Sequence, residues 1–562
     1  MIRGSEKAGR GFSLKRALSD PLLLFATLFV VASLILFILY PLFSILKNSF
    51  LDSGGSFTFS SYSNTFRNAN FQNAFSNTVT LGVTVGVCAT IVGFIFAYVI
   101  ACVKSPFKGF FNAVTIAPII SPPFVLAFSA ISLLGRRGFI TYKLLGLRNW
   151  DIYGFNGLVL VQTMTFFPVV SLLLTGLMKN LDVSMEEAAR DLGASRRKVF
   201  TSITLPMLLS GIANSFLLTF VESVTDFANP MILGSGFKTL ASQIYIQAVA
   251  NYDMQLGTTV AVILLSLTVV VFYFQKAWLD KRSYVTLTGK TGREREMLNS
   301  KGVTILGNAF CLFCCFIILL FYVFVVLGAF FRTWGADYTL VLNNFRYIFE
   351  RGFKPVTDTL KIALLSAPIG GVLAMVVAYL IVRKRFLGRT LVEYSSMLGM
   401  AVPGTVFGLG YILSFNTMPL VLTNTLAILV IVLVMTRLPV GVRSGVAALK
   451  QIDPSIEEAA SDLGADTSKV FISITIPLIK PAFFSGLVFS FIKSMTAISA
   501  VIFLVSARYN LLTVRVMQYV DKGQMGYASA MATILFVIVF AVVGIMSFLL
   551  GRMGISQDEI YR

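Results

Sequence analysis

Glu222 and Asp226 lie four residues apart in an otherwise apolar stretch, a spacing that puts both carboxylates on one face of a helix. Lys493 occupies the position equivalent to Glu222 in a second apolar stretch, with Ser494, Thr496 and Ser499 beside it. Ionisable groups at the centre of a bilayer cost at least about 2.5 kcal/mol each, so where they occur in such stretches they serve a purpose. They could line a polar pathway, in which a cation suits the carboxylates and an anion such as a phosphate ester suits Lys493 with its hydroxyls. Alternatively, Glu222 and Lys493 form a buried ion pair that fixes how two parts of the chain meet, and the hydroxyls hydrogen-bond between helices.

The stretches that must position these groups dominate the chain. Hydrophobic residues make up 56% of its 562 positions and charged residues 13%, against roughly 25% charged in a soluble globular protein. Apolar runs of about 20 residues or more, each long enough to cross about 30 Å of hydrocarbon as a helix, recur about twelve times. In the first half they fall near 22 to 46, 77 to 102, 109 to 134, 157 to 178, 206 to 234 and 256 to 276. In the second they fall near 304 to 330, 358 to 382, 391 to 414, 423 to 444, 474 to 506 and 527 to 550. Pro118, Pro122 and Pro123, and Pro403 with Gly404, interrupt the third and ninth runs. Broken helices of this kind border pathways, although kinked packing also explains them.

The net charge of +20 does not indicate nucleic acid, because the cations cluster in short loops beside apolar runs. Arg3, Lys7, Arg10, Lys15 and Arg16, the central Lys276, Lys281, Arg282, Lys290, Arg293 and Arg295, and Arg383, Lys384, Arg385 and Arg389 place both termini in the cytoplasm by the positive-inside rule. Arg136, Arg137, Lys143 and Arg148 fall outside on this topology and are exceptions. The first run follows a polar segment, is too long for a signal-peptide core and lacks an A-x-A site, so it is expected to remain as a helix. Cys88, Cys102, Cys311, Cys314 and Cys315 all lie within or at the ends of apolar runs, and histidine is absent. Packing, with no metal site, is the expectation for them.

An internal repeat organises the chain. DVSMEEAARDLGASRRKVFTSITLP, residues 182 to 206, aligns without gaps on DPSIEEAASDLGADTSKVFISITIP, residues 453 to 477, with 17 of 25 positions identical. Ala97-Tyr98 and Ala378-Tyr379, and likewise Pro122 and Pro403, align at a slightly larger offset. Both copies follow an even number of spans from a common side, so both emerge on one face. The expected fold is therefore an all-α polytopic membrane protein of about twelve spans in two tandem six-helix repeats. Its parts are a cytoplasmic segment 1 to 21, a first unit 22 to 277, a charged linker 278 to 303, a second unit 304 to 551 and a tail 552 to 562.

Ser184 with Glu187, and Ser455 with Glu458, have the spacing of a helix-starting capping box. Gly193 and Gly464 then offer a stop, and a second short segment ending at Pro206 or Pro477 leads into the next span. Each loop is expected to be a helix-turn-helix on the cytoplasmic surface. A single copy could be a plain interfacial helix, and duplication weakens that reading.

Glu187, Ala188, Ala189, Gly193, Ile203, Leu205 and Pro206 resemble the E-A-A-x-x-x-G-x(9)-I-x-L-P loop of binding-protein-dependent importer permeases. Glu458, Ala459, Ala460, Gly464, Ile474 and Pro477 match again, with Ile476 in place of Leu. The fused double permease looks closest to the ferric-iron and organophosphonate group, whose D-F-x-x-P-x-x-L-G segment is echoed from Asp226 through Pro230 to Gly234. The resemblance implies that each loop is a coupling helix docked in a cleft of a cytoplasmic ATPase, two copies per chain. It also implies an extracytoplasmic binding protein, a bacterial inner-membrane location and alternating access, with ATP and Mg used by the partner and no cofactor held by this chain.

Gly289-Lys290-Thr291 is not a phosphate-binding loop, because Tyr284 stands where the first glycine is required. The competing reading is a proton-coupled secondary transporter of the duplicated twelve-span type. Its Gly-x-x-x-Asp-Arg signature is absent from the loop Val103 to Lys108. An intramembrane enzyme finds no metal cluster and no nucleophile with its base.

Overall fold

Among the described residues, ten helices are long and apolar enough to cross a membrane, and two sharply bent pairs bring the number to twelve if each pair is one span. In hydrocarbon the backbone must satisfy its own hydrogen bonds, which leaves apolar runs of this length only the helix. The computed structural model describes residues 21–52, 54–181, 184–275, 277, 301–384, 386, 388–465 and 467–552. The amino-terminal cations, the central cations from Lys276 to Arg295, Arg385, Gly289-Lys290-Thr291 and the tail beyond residue 552 lie outside the described residues.

The first half contributes Leu24–Ser49, Ala69–Cys102, Phe124–Leu144, Phe155–Lys179, Arg196–Thr225 and Met254–Phe274. The second contributes Lys301–Phe330, Lys354–Arg383, the pair Arg389–Ala401 and Gly404–Phe415, Leu426–Gln451, the pair Phe471–Leu478 and Lys480–Met495, and Met525–Phe548. Each of the twelve expected runs meets one of these helices. The short strands Phe331–Thr333 and Asp337–Leu340 pair antiparallel between the first two spans of the second half.

Proline placement explains the breaks. The chain turns at Ser121 between Lys108–Ile120 and Phe124–Leu134, where Pro122 and Pro123 offer no N–H to continue the helix. The equivalent pair in the second half bends by 115° ahead of Gly404, with Pro403 as its cap.

Two helices of each half form its densest crossing, Ala69–Cys102 on Phe155–Lys179 and Lys354–Arg383 on Leu426–Gln451. A side chain at Gly93 would come within 2.6 Å of Val170, and one at Gly441 within 2.7 Å of Ala374. The repeat pairs Gly93 with Ala374 and Val170 with Gly441, so the same crossing keeps its small residue on opposite helices in the two halves. Either arrangement lets the backbones approach, as membrane helix packing favours.

The first helix of each unit packs on the other unit as well as on its own. Leu24–Ser49 packs on the second half, where Tyr411 Oη donates to the Phe37 carbonyl at 2.7 Å and Ser414 and Ser44 hydroxyls meet at 2.8 Å. Lys301–Phe330 packs on the first half, where Ser129 Oγ donates to the Phe321 carbonyl at 2.9 Å and Ser121 meets the Tyr322 hydroxyl. Exposed cations near the strands are tethered locally: Arg136 pairs with Asp151 at 2.9 Å, and Lys143 Nζ sits 3.8 Å above the Tyr338 ring. None of the five cysteines forms a disulfide.

Candidate coupling loops and intramembrane charge site

The two repeated loops fold alike. Ser184–Asp191 and Pro454–Asp462 form their first helices, and Gly193 and Gly464 follow with φ of 84° and 86°. In this left-handed region glycine avoids the clash that a Cβ would make with the carbonyl. Each turn closes in the same way, the Ala194 N–H donating to the Ala189 carbonyl at 2.9 Å and Ala465 to Ala460 at 3.1 Å.

The start of the second loop's first helix differs from the expected capping box. Ser184 is the first residue of its helix, and Ser455 lies inside a helix that begins at Pro454. Asp453 is the cap there, its carboxylate accepting from the Ser455 N–H at 2.9 Å. Bonds from the Ser455 backbone and hydroxyl hold the Asp453 carboxyl below the usual carboxylate range. Proline at the first helical position needs no N–H partner, which leaves the preceding aspartate to cap. The equivalent Asp182 lies outside the described residues.

Each Glu-Glu pair divides its roles. Glu187 and Glu458, together with Ala188 and Ala459, are exposed. Glu186 and Glu457 turn inward: Thr204 Oγ1 donates to Glu186 at 2.7 Å, and Thr475 Oγ1 to Glu457 at 3.2 Å. In the second loop Arg383 adds an ion pair to Glu457 at 3.0 Å, with both side chains about nine-tenths buried. The first glutamate therefore fastens each loop to the following helix. Sequence reading missed this division, since two adjacent acids on a short helix carry no mark of which one faces inward.

Beside the exposed Glu187 and Glu458, part of the outward face is an apolar strip. Met185, Ala188 and Leu192 in one loop, and Ile456, Ala459 and Leu463 in the other, are exposed at three- and four-residue spacing. Leu192 is 89% and Leu463 90% exposed.

Pro206 and Pro477 do not end a helix. Pro206 lies within the continuous helix Arg196–Thr225, just after a π-helical turn over Phe200–Thr204, and the same turn covers Phe471–Thr475 ahead of Pro477. The wider turn accommodates the missing proline N–H. Only the second half then bends, by 71° at Ile479. Pro481 follows that break, and the repeat places Ser210 at the same position in the first half.

The charged residues of the spans fall into two groups. Glu222 and Asp226 do not share a helix face: the helix ends at Thr225, and Asp226 is extended, with ψ of 119°. Its buried carboxylate accepts from the Ala228 N–H at 3.0 Å, Gln162 Nε2 at 2.8 Å and Asn229 Nδ2 at 2.6 Å. It caps the next short helix, Ala228–Leu233. Ser494 and Thr496 are also buried and engaged, Ser494 with the Ser366 hydroxyl at 3.1 Å and Thr496 with the Ile492 carbonyl at 2.9 Å.

Glu222 is exposed, and Lys493 is half-buried with Nζ 3.4 Å from the Ile119 carbonyl, beside the break in the third span. No ion pair joins them among the described residues. Arg437, midway along the 26-residue helix Leu426–Gln451, lies within electrostatic reach of both. Sequence reading passed over Arg437, although an arginine inside the expected span 423 to 444 was a signal in itself. Among the described residues no group of three or more Cys, Asp or Glu could hold a metal ion.

Comparison with known proteins places the chain. It is 36% identical over 456 residues to the ferric transport system permease protein FbpB of Actinobacillus pleuropneumoniae, covering 79% of this chain and 66% of that protein. It is 39% identical over 406 residues to the putative ferric transport system permease protein FbpB 1 of Haemophilus influenzae, covering 70% and 64%. The chain thus spans just under two thirds of the length of both relatives. The molybdenum transport system permease protein ModB of Escherichia coli is 33% identical over 150 residues, 25% of this chain and 63% of that protein. Residues 89–283 and 368–554, equivalent stretches of the two halves, match the same family description. The chain belongs to the binding-protein-dependent transport system inner membrane component family.

Proposed function

We propose that this chain is the translocating core of an ATP-driven ferric-iron importer in a bacterial inner membrane. Two copies of a cytoplasmic ATPase seat on the loops 182 to 206 and 453 to 477, and hydrolyse ATP with Mg. An extracytoplasmic binding protein delivers the iron, and closure of the ATPases rocks the halves about a path between them. Both termini lie on the side of the loops. The family supports the transport role, and the names of two relatives support the cargo.

The observation that carries the docking role is the pair of exposed apolar strips ending at Leu192 and Leu463, each held by an inward glutamate. Residues that exposed on a surface otherwise in water are suited to burial in a partner. Glu187, Ala188, Ala189 and Gly193, and Glu458, Ala459, Ala460 and Gly464, build this surface. Pro206 and Pro477 lie where each loop enters its span.

The test is uptake of radioactive ferric iron into proteoliposomes holding the chain, its ATPase and its binding protein. Uptake should require ATP on the loop side and binding protein on the other. Uptake driven by a proton gradient without ATP would instead establish a secondary transporter.

A further inference from the structure

Three charges converge where the two halves meet, and their surroundings assign a ligand chemistry. Glu222 comes from the first half, and Arg437 and Lys493 from the second. The repeat places Phe166 opposite Arg437 and Glu222 opposite Lys493, so the charge is distributed asymmetrically, with two cations against one carboxylate.

Arg437 makes no hydrogen bond among the described residues, and its Nε is buried without a partner. A guanidinium carries five N–H donors in a planar fork. Among the described residues the Glu222 carboxylate likewise makes no hydrogen bond, and it is exposed within a membrane-spanning helix. A carboxylate exposed in a span and within electrostatic reach of two cations is not placed in lipid, since neither sign is tolerated there. The exposure of Glu222 fits a water-lined gap between the halves. Lys493 is already engaged, capping the end of the broken third span through the Ile119 carbonyl. Arg437 is the group with donors to spare, and its like-charged neighbour Lys493 adds to the demand for a counter-charge beyond Glu222.

We propose that Arg437, supported by Lys493, is an oxyanion-binding station in the translocation path, recognising a carboxylate or phosphate group by the guanidinium fork. Resting on the importer reading, this means that the cargo crosses in the company of an oxyanion. A bare trivalent cation would be repelled by the two positive groups, whereas ferric iron held by anionic oxygen ligands would not. Glu222 then limits how much negative charge the station accepts.

The experiment is thermal unfolding of the full chain with its ATPase in lipid nanodiscs, titrated with inorganic phosphate or with citrate against chloride at equal ionic strength. One or both oxyanions should raise the wild-type midpoint above chloride, and the responding anion identifies the source. Arg437→Met should abolish the rise. Arg437→Lys keeps the charge without the fork and should weaken the apparent affinity about tenfold. If Arg437→Met does not assemble, Arg437→Lys alone decides. A wild type that neither oxyanion stabilises beyond chloride, or an Arg437→Lys variant with unchanged affinity, would overturn the station. Normal ATP-driven uptake alongside such a result would leave the importer reading standing. An oxyanion shift without ATP-driven uptake would do the reverse.

Discussion

Arg383 Nε lies 3.0 Å from Glu457 Oε1, and the same guanidinium donates to the Leu449 carbonyl at 3.0 Å and the Ile452 carbonyl at 2.9 Å. One side chain at the end of Lys354–Arg383 thus caps the helix Leu426–Gln451 and grips the second loop. A push on that loop reaches two spans through this joint. Arg383→Met would remove this mostly buried ion pair and both carbonyl bonds, at about 1–3 kcal/mol. A fall in the thermal midpoint is expected, together with loss of ATP-driven uptake.

The exposed leucines give a different expectation. Leu192→Glu and Leu463→Glu change residues that are almost fully exposed, so the stability of the chain alone should stay within about 0.5 kcal/mol of wild type. Each change should weaken ATPase retention in a pull-down, and the double variant should lose it. Retention of both ATPases by the double variant would remove the strips from the interface.

Gly193 and Gly464 sit at positive φ with open space around the position a Cβ would take. The cost of a side chain there is therefore conformational alone. Gly193→Val or Gly464→Val should destabilise its loop by about 1–2 kcal/mol, read as faster amide exchange over residues 184–199 or over 455–465 and 467–470 with the spans unchanged.

Asp226 and Glu222 should separate cleanly. Asp226→Ala leaves the Gln162 and Asn229 amides without their buried acceptor, at about 1–3 kcal/mol for each unsatisfied group. Reduced stability and yield are expected. Glu222→Gln removes no hydrogen bond among the described residues and should leave stability unchanged while altering uptake. A stable, fully assembled Asp226→Ala variant would show that the cap is dispensable.

The spans and the loops were legible because each rests on a local pattern: apolar runs of membrane length, and a 25-residue motif written twice. What was not legible depends on partners distant in sequence. An apolar first helix carries no sign that it packs on the opposite half, as Tyr411 on Phe37 does here. Helical spacing placed Asp226 beside Glu222, but the side chain of Asp226 ends that helix by capping the next one. The box expected at Ser455 gave way to Asp453, because Pro454 can open a helix. Arg437 was readable as a charge in an apolar run, whereas its lack of a hydrogen-bond partner follows only from the fold.

The central claim is that one chain supplies two ATPase seats, and the most direct measurement is the mass of the detergent-solubilised complex formed with excess partner ATPase. Two ATPase subunits per chain are expected, falling to one when either Leu192→Glu or Leu463→Glu is introduced and to none with both. A wild-type complex with one ATPase or none, or a count indifferent to these changes, would contradict the account.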